Sequence, residues 1–108
     1  KTKLVAVTHA SNVLGTVQPV AEIGRIVRSR DALFLVDAAQ TAGVVPIDVQ
    51  EACIDLLAFP GHKSLFGPTG TGALYVGLRA TVRPWREGGT GGDSSTPTQP
   101  KEFPYYLE

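Results

Sequence analysis

Four short apolar runs constrain the fold of this sequence more than any other feature. They cover residues 4–7, 33–36, 54–59 and 73–76. Each run has the length of a buried strand, and a helical pattern lies between the first two. This order predicts an α/β fold in which a mostly parallel sheet carries flanking helices.

The helical pattern follows Pro19, which suits the first position of a helix because its missing N–H costs nothing there. The apolar residues that recur at helical spacing are Val20, Ile23, Ile26 and Val27. We therefore expect one face of this helix to pack on the sheet. Gly24 weakens the helix slightly without cancelling it.

Composition excludes several classes of partner. Ten basic and ten acidic residues give no net charge, which removes the electrostatic reason to propose nucleic acid or an anionic membrane. No apolar run approaches the roughly 18 to 20 residues that span a bilayer, and no signal-peptide pattern opens the sequence. Cys53 is the single cysteine, so an internal disulfide is excluded and a reducing, cytoplasmic location is expected.

Two further predictions concern Cys53 and the histidines. Cys53 precedes an apolar run and is predicted to be a small buried hydrophobe. His9 and His62 lie far apart and have no third ligand at metal spacing, so no metal site is predicted.

The length suits one modest domain, and two regions differ in composition. Residues 1–87 contain all four apolar runs, whereas residues 88–108 begin with glycine, serine, threonine and proline, which predicts a flexible loop. Because the sequence starts within a strand pattern and ends without a terminating element, we expect it to be the central piece of a longer protein.

Polar side chains follow the first three apolar runs directly. These residues are Thr8, His9, Ser11 and Asn12 after the first run, Asp37 and Gln40 after the second, and His62 and Lys63 after the third. Ligands of open α/β sheets bind at the carboxyl ends of the strands. We therefore expect an amide, a carboxylate, an imidazole and an amine to meet in one crevice.

Lys63 and Asp37 each allow two interpretations. Apolar neighbours would desolvate Lys63 and favour the neutral amine that forms a Schiff base, or the side chain extends to solvent. Asp37 ends an apolar run, so its carboxylate either pairs with a protonated pyridine nitrogen or caps a turn.

The glycine-rich segment 67–72 suggests a phosphate loop at first sight. A P-loop requires Lys followed by Ser or Thr after its last glycine, whereas Ala73 follows here. The dinucleotide-binding glycine pattern is not met either. We predict a tight turn before the fourth strand.

Taken together, three ordered motifs resemble the class V aminotransferase superfamily, and within it the cysteine desulfurases and selenocysteine lyases. The motifs are THASNVLG at 8–15, VDAAQ at 36–40, and GHK at 61–63 followed by GPTGTG at 67–72. The resemblance implies pyridoxal 5′-phosphate (PLP) as cofactor. It also implies a homodimeric parent enzyme in which residues 1–87 form the central part of the large PLP-binding domain of fold type I.

The resemblance also implies a role for each matching residue. Lys63 matches the lysine that holds PLP as an internal aldimine, and Asp37 matches the acid at the pyridine nitrogen. Gln40 matches the amide at the ring hydroxyl, Asn12 matches a residue near that hydroxyl and the substrate carboxylate, and His62 matches a side chain at the cofactor phosphate. The implied reaction converts L-cysteine to L-alanine and transfers the sulfur to an acceptor, which can be a protein.

The sequence departs from the family pattern in several ways. Pro60 stands where many desulfurases have a phosphate-binding serine, and proline cannot donate that hydrogen bond. The family's substrate-binding arginine and active-site cysteine loop are not found in this sequence, and Cys53 does not match that cysteine. We therefore expect this piece alone not to complete turnover. A small-molecule aminotransferase of the same superfamily and a non-catalytic fragment are the alternatives.

Overall fold

The computed structural model of the chain describes residues 1–83. Its elements are β1 (Leu4–Thr8), α1 (Val20–Ser29), β2 (Leu33–Asp37), β3 (Leu56–Pro60) and β4 (Gly72–Val76). The strands form one sheet in the order β1-β2-β3-β4. The pairs β1–β2 and β2–β3 are parallel, and β3–β4 is antiparallel. The predicted α/β class with a mostly parallel sheet is confirmed. The loop predicted over 88–108 lies outside the described residues.

The core lies between α1 and the middle of β2. Phe34 and Val36 point to the helix side of the sheet and are completely buried. Alternate residues of a strand face opposite sides, so Asp37 belongs to the other face, where the residues of β2 are half-buried. The strand that ends in Asp37 thus buries one face completely against the helix and the other only in part.

Helix α1 begins one residue later than predicted. Pro19 occupies the N-cap position, and its carbonyl accepts hydrogen bonds from the backbone N–H groups of Glu22 and Ile23. Val20 and Val27 are buried as expected, whereas Ile26 is 65% exposed. The prediction that Ile26 packs on the sheet is wrong, because the buried face of the helix passes through Gly24 instead.

Gly24 is buried because the segment before β3 crosses the helix closely at this point. A Cβ atom at position 24 would lie 1.9 Å from the carbonyl oxygen of Ala52. Only glycine allows this approach. The residue that weakens the helix in isolation is thus the one that lets the helix pack.

Strand β3 begins at Leu56, two residues after the start of the predicted run. The preceding residue, Asp55, is buried and accepts a hydrogen bond from the backbone N–H of Phe34 at 3.0 Å. Its carboxylate also pairs with Arg79 at 3.1 Å and with Arg28 at 3.8 Å. This charge cluster lies at the amino end of β3, away from the strand ends predicted to bind a ligand.

Candidate cofactor site at the strand ends

The carboxyl ends of β1, β2 and β3 lie side by side. Thr8 is level with Asp37, and Asp37 is level with Ala58 on the other side. The three segments predicted to form the crevice therefore leave the same edge of the sheet, with the Asp37 segment in the middle. This adjacency of the strand ends is as predicted, and the roles of the individual residues stay predictions.

The backbone at Asp37 is held from both neighbouring strands. The N–H of His9 donates to the carbonyl of Asp37, and the N–H of Ala38 donates to the carbonyl of Ala58, each at 2.9 Å. The carboxylate Oδ1 of Asp37 accepts the N–H of Ala39 at 2.9 Å. The turn-capping interpretation of Asp37 is therefore correct for one oxygen. That bond holds the carboxylate through Oδ1.

Gln40 lies in a tight turn that follows Asp37. The carbonyl of Ala38 accepts the N–H groups of Thr41 and Ala42, at 3.0 and 2.9 Å. The Gln40 side chain is half-buried within this turn. Gln40 thus has a defined backbone position three residues beyond the acid.

Asn12 occupies an exposed turn after β1. Ser11 organises this turn, since its Oγ accepts the N–H groups of Val13 and Leu14 at 3.2 and 3.1 Å. A backbone pairing of Ala10 with Val17 closes the loop. Ser11 therefore supports the loop, and Asn12 lies at its surface.

His62 and Lys63 lie in a narrow loop between β3 and β4. The N–H of Gly61 donates to Thr71 at 2.7 Å, and the N–H of Gly67 donates back to Gly61 at 2.8 Å. A Cβ atom at position 61 would lie 2.3 Å from Thr71 Oγ1, so a larger residue would displace the Thr71 side chain. The loop carries the exposed side chains of His62 and Lys63 beyond this closed backbone ring.

Lys63 is exposed, so of its two interpretations the one in which apolar neighbours desolvate the amine does not hold for this chain. The apolar neighbours expected to cover it are themselves at the surface, with Leu65 45% and Phe66 93% exposed. The solvent-directed interpretation of Lys63 is therefore correct here. His62 is exposed as well.

The glycine-rich segment forms a tight turn, as predicted. Thr71 donates from Oγ1 to the carbonyl of Pro68 at 2.6 Å, and Gly70 adopts a φ of +86° between them. The turn leads directly into β4.

Cys53 differs from its prediction. Its side chain is only partly buried, and the residue has a φ of +53° in a turn where Sγ lies 4.0 Å from the carbonyl oxygen of Glu51. Because this turn precedes β3, Cys53 and Lys63 lie at opposite ends of that strand. The thiol therefore lies outside the candidate site.

The sequence analysis missed the contribution of Thr41. Its Oγ1 lies 2.9 Å from Nδ1 of His9, and both side chains are buried. Burial lowers the pKa of His9 from its usual value, so the ring is neutral at pH 7. No sequence motif marks Thr41, since its partner lies in another segment.

Residues 1–83 contain no group of three or more His, Cys, Asp or Glu side chains able to hold a metal ion. No helix among them has the length and apolar character needed to cross a membrane.

Comparison with known proteins identifies relatives along most of the chain. The family model described as "Aminotransferase class-V" matches residues 1–104. A probable cysteine desulfurase of Methanothermobacter thermautotrophicus is 60% identical over 74 residues, which are 68% of this chain and 18% of that protein. The chain thus spans about a fifth of the curated relatives it matches.

Solved structures agree in fold. An apo cysteine desulfurase from Thermococcus onnurineus has a TM-score of 0.68 and 50% identity over 70% of this chain and 19% of its own. The ureidoglycine–glyoxylate aminotransferase of Bacillus subtilis has a TM-score of 0.69 and 35% identity over 71% of this chain and 20% of its own. With the family model covering nearly the whole sequence, the chain belongs to the class-V aminotransferase family.

Proposed function

We propose that this chain carries the PLP-binding segment of a cysteine desulfurase-type enzyme. The observation that carries the proposal is the adjacency of β1, β2 and β3, which sets Asp37 between the Asn12 turn and the Lys63 loop. The high identity to proteins named cysteine desulfurase supports the same assignment. Residues 1–87 then correspond to the central part of a large PLP-binding domain.

The donor set of the site fits PLP. The cofactor needs an amine for its aldehyde, an anion for its pyridine nitrogen and polar groups for its hydroxyl and phosphate. Lys63 supplies the amine from an exposed loop, and Asp37 supplies a carboxylate whose orientation is fixed by Ala39. When bound, PLP supplies an electron sink for carbanion chemistry.

Each chain residue has a proposed task. Asp37 would hold the positive charge of the pyridine nitrogen, and Gln40 would contact the ring hydroxyl. Asn12 would lie near that hydroxyl and the substrate carboxylate, and His62 would bind the phosphate. Lys63 would hold the cofactor through its amine, and the same amine would move the proton at the substrate Cα. Because Pro60 has no N–H, the phosphate takes its remaining contacts from elsewhere.

The substrate proposed for the whole enzyme is L-cysteine, with L-alanine and a transferred sulfur as products. A sulfur-accepting protein, a homodimeric assembly and a cytoplasmic location belong to the same proposal. The solved structure described as SspA in complex with cysteine, 45% identical over 69% of this chain, supports a cysteine-like substrate. The isolated chain is proposed to bind PLP without completing the sulfur transfer.

A small-molecule aminotransferase is the second candidate. The similarity to the ureidoglycine–glyoxylate aminotransferase favours it, because a protein of the same fold is named as an aminotransferase there. The products separate the two candidates. A polypeptide containing these residues in their natural full-length context is incubated with PLP and L-cysteine, or with amino donors and glyoxylate. Alanine and sulfide support the desulfurase, whereas keto-acid formation without sulfide supports the aminotransferase and contradicts the first proposal.

A further inference from the structure

His9 and Thr41 form a buried hydrogen bond behind the turn that carries Asp37 and Gln40. His9 Nδ1 and Thr41 Oγ1 are 2.9 Å apart, and the two residues are only 4% and 1% exposed. They are 32 positions apart in the sequence, one directly after β1 and the other after β2. The bond therefore joins two segments of the candidate site.

His9 contacts this turn at both of its ends. Its backbone N–H donates to the carbonyl of Asp37 at 2.9 Å, where the turn begins, and its ring reaches Thr41, where the turn closes. Thr41 is fixed in turn by its N–H, which donates to Ala38 at 3.0 Å. The backbone from Asp37 to Thr41 is thus held at two points by one residue.

His9 also anchors the loop that carries Asn12. The carbonyl of His9 accepts the N–H of Gln18 at 2.8 Å, across the base of that loop. A buried polar group that loses its partner is costly, so neither the His9 ring nor the Thr41 hydroxyl can turn away without a penalty. One residue consequently sets the separation of the Asn12 loop and the Asp37 turn.

We propose that His9 and Thr41 are positioning residues for the cofactor: their hydrogen bond fixes the Asp37 carboxylate and the Gln40 amide in the orientation that holds the pyridine ring. This inference rests on the proposed function and adds two residues that act on the cofactor site indirectly. Neither residue is assigned a contact with the cofactor. Their effect is transmitted through the turn between them.

Affinity gives the first test. The full chain and its variants are titrated with PLP, and the absorption of the lysine-bound cofactor is followed. Thr41→Val keeps the shape but removes the hydroxyl, and we expect the dissociation constant to rise about tenfold, on the order of the loss of one buried hydrogen bond. Thr41→Ser keeps the hydroxyl, and Thr2→Val controls for the same substitution at an exposed site before β1. Both are expected to stay within about twofold of the unsubstituted chain.

The spectrum at saturating PLP separates positioning from simple stabilisation. We expect the pH dependence of the Thr41→Val spectrum to move in the direction of Asp37→Asn, because both changes weaken the hold on the pyridine nitrogen. A residue that only stabilises the fold would lower the urea midpoint and leave the saturated spectrum unchanged. That second result would overturn the positioning role. If Thr41→Val does not fold, Thr41→Cys, whose thiol is a weaker hydrogen-bonding group, serves the same comparison.

The outcomes separate a failure of the positioning role from a failure of the proposed PLP function. If the unsubstituted chain gives no band of lysine-bound cofactor, the proposed PLP function fails, and the positioning role falls with it. If that band forms and Thr41→Val matches it in affinity and in spectrum at every pH, only the positioning role is lost.

Discussion

The carboxylate of Asp55 accepts hydrogen bonds from a single nitrogen of Arg79 at both of its oxygens, at 3.1 Å to Oδ2 and 3.3 Å to Oδ1. Asp55 is buried and also accepts the N–H of Phe34. The pair therefore joins the segment after β4 to the central strand of the sheet. It secures the end of the sheet opposite the proposed cofactor site.

Removal of this carboxylate is expected to destabilise the chain. Asp55→Ala removes the buried partner of Arg79 and the acceptor of the Phe34 N–H, and we expect the free energy of unfolding to fall by about 3 kcal/mol. Asp31 also contacts Arg79, at 3.5 Å, but its side chain is 86% exposed. Asp31→Ala should therefore change stability by less than about 0.5 kcal/mol. Urea unfolding measures both, and equal losses would contradict the assigned role of Asp55.

Gly24 gives a second test of the packing. Alanine favours an isolated helix over glycine by about 1 kcal/mol, yet its Cβ at position 24 would collide with the Ala52 carbonyl. Gly24→Ala is therefore expected to lower the free energy of unfolding by about 2 kcal/mol or more, since helix and loop must separate. Gly70→Ala is the comparison: its Cβ meets no atom within 4 Å, and only the φ of +86° costs about 1 kcal/mol. Stabilisation by Gly24→Ala would show that α1 does not approach Ala52.

His9 predicts the pH dependence of stability. Burial lowers the pKa of His9 below its usual 6.5, so the unfolded chain takes up a proton first as the pH falls. The free energy of unfolding should thus decrease below pH 6.5, by at most about 1.4 kcal/mol per pH unit. Asp48 and Glu51 line the same small cavity as His9. The pKa of Asp48 is itself lowered, by the N–H groups of Glu51 and Gln50, so its titration lies below this window.

Two histidine variants check the origin of that dependence. His9→Gln should remove the loss of stability as the pH falls below 6.5, whereas His62→Gln, at an exposed position, should retain it. Urea midpoints measured across this range give the answer. Retention of the full slope in His9→Gln would assign the dependence to another group.

The strands, and the polar residues at their carboxyl ends, were predictable because both follow from local sequence patterns. The run that ends at Asp37 marks a buried strand and its carboxyl end, and parallel pairing then brings three such ends together. The helix was predictable for the same reason, with an error at Ile26. The buried face of α1 depends on its contact with the backbone at Ala52. The helical spacing of apolar residues carries no information about that contact.

The contacts within the site were less predictable because they join distant segments. The bond between His9 and Thr41 depends on the register of β1 against β2. No local pattern in the sequence relates these two residues to each other. The surroundings of Lys63 stayed open for a related reason, because apolar neighbours in sequence do not fix whether a side chain is covered. Leu65 and Phe66 extend to the surface of the loop, which leaves Lys63 exposed.

Chemical trapping reports directly on the proposed attachment of PLP to Lys63. The chain is incubated with PLP and reduced with borohydride, and the modified peptide is identified by mass spectrometry. We expect one pyridoxyl group on Lys63, none in Lys63→Ala, and an unchanged yield in Lys3→Ala, which removes an exposed lysine just before β1. Labelling that persists in Lys63→Ala, or that spreads equally over the lysines, would contradict the account.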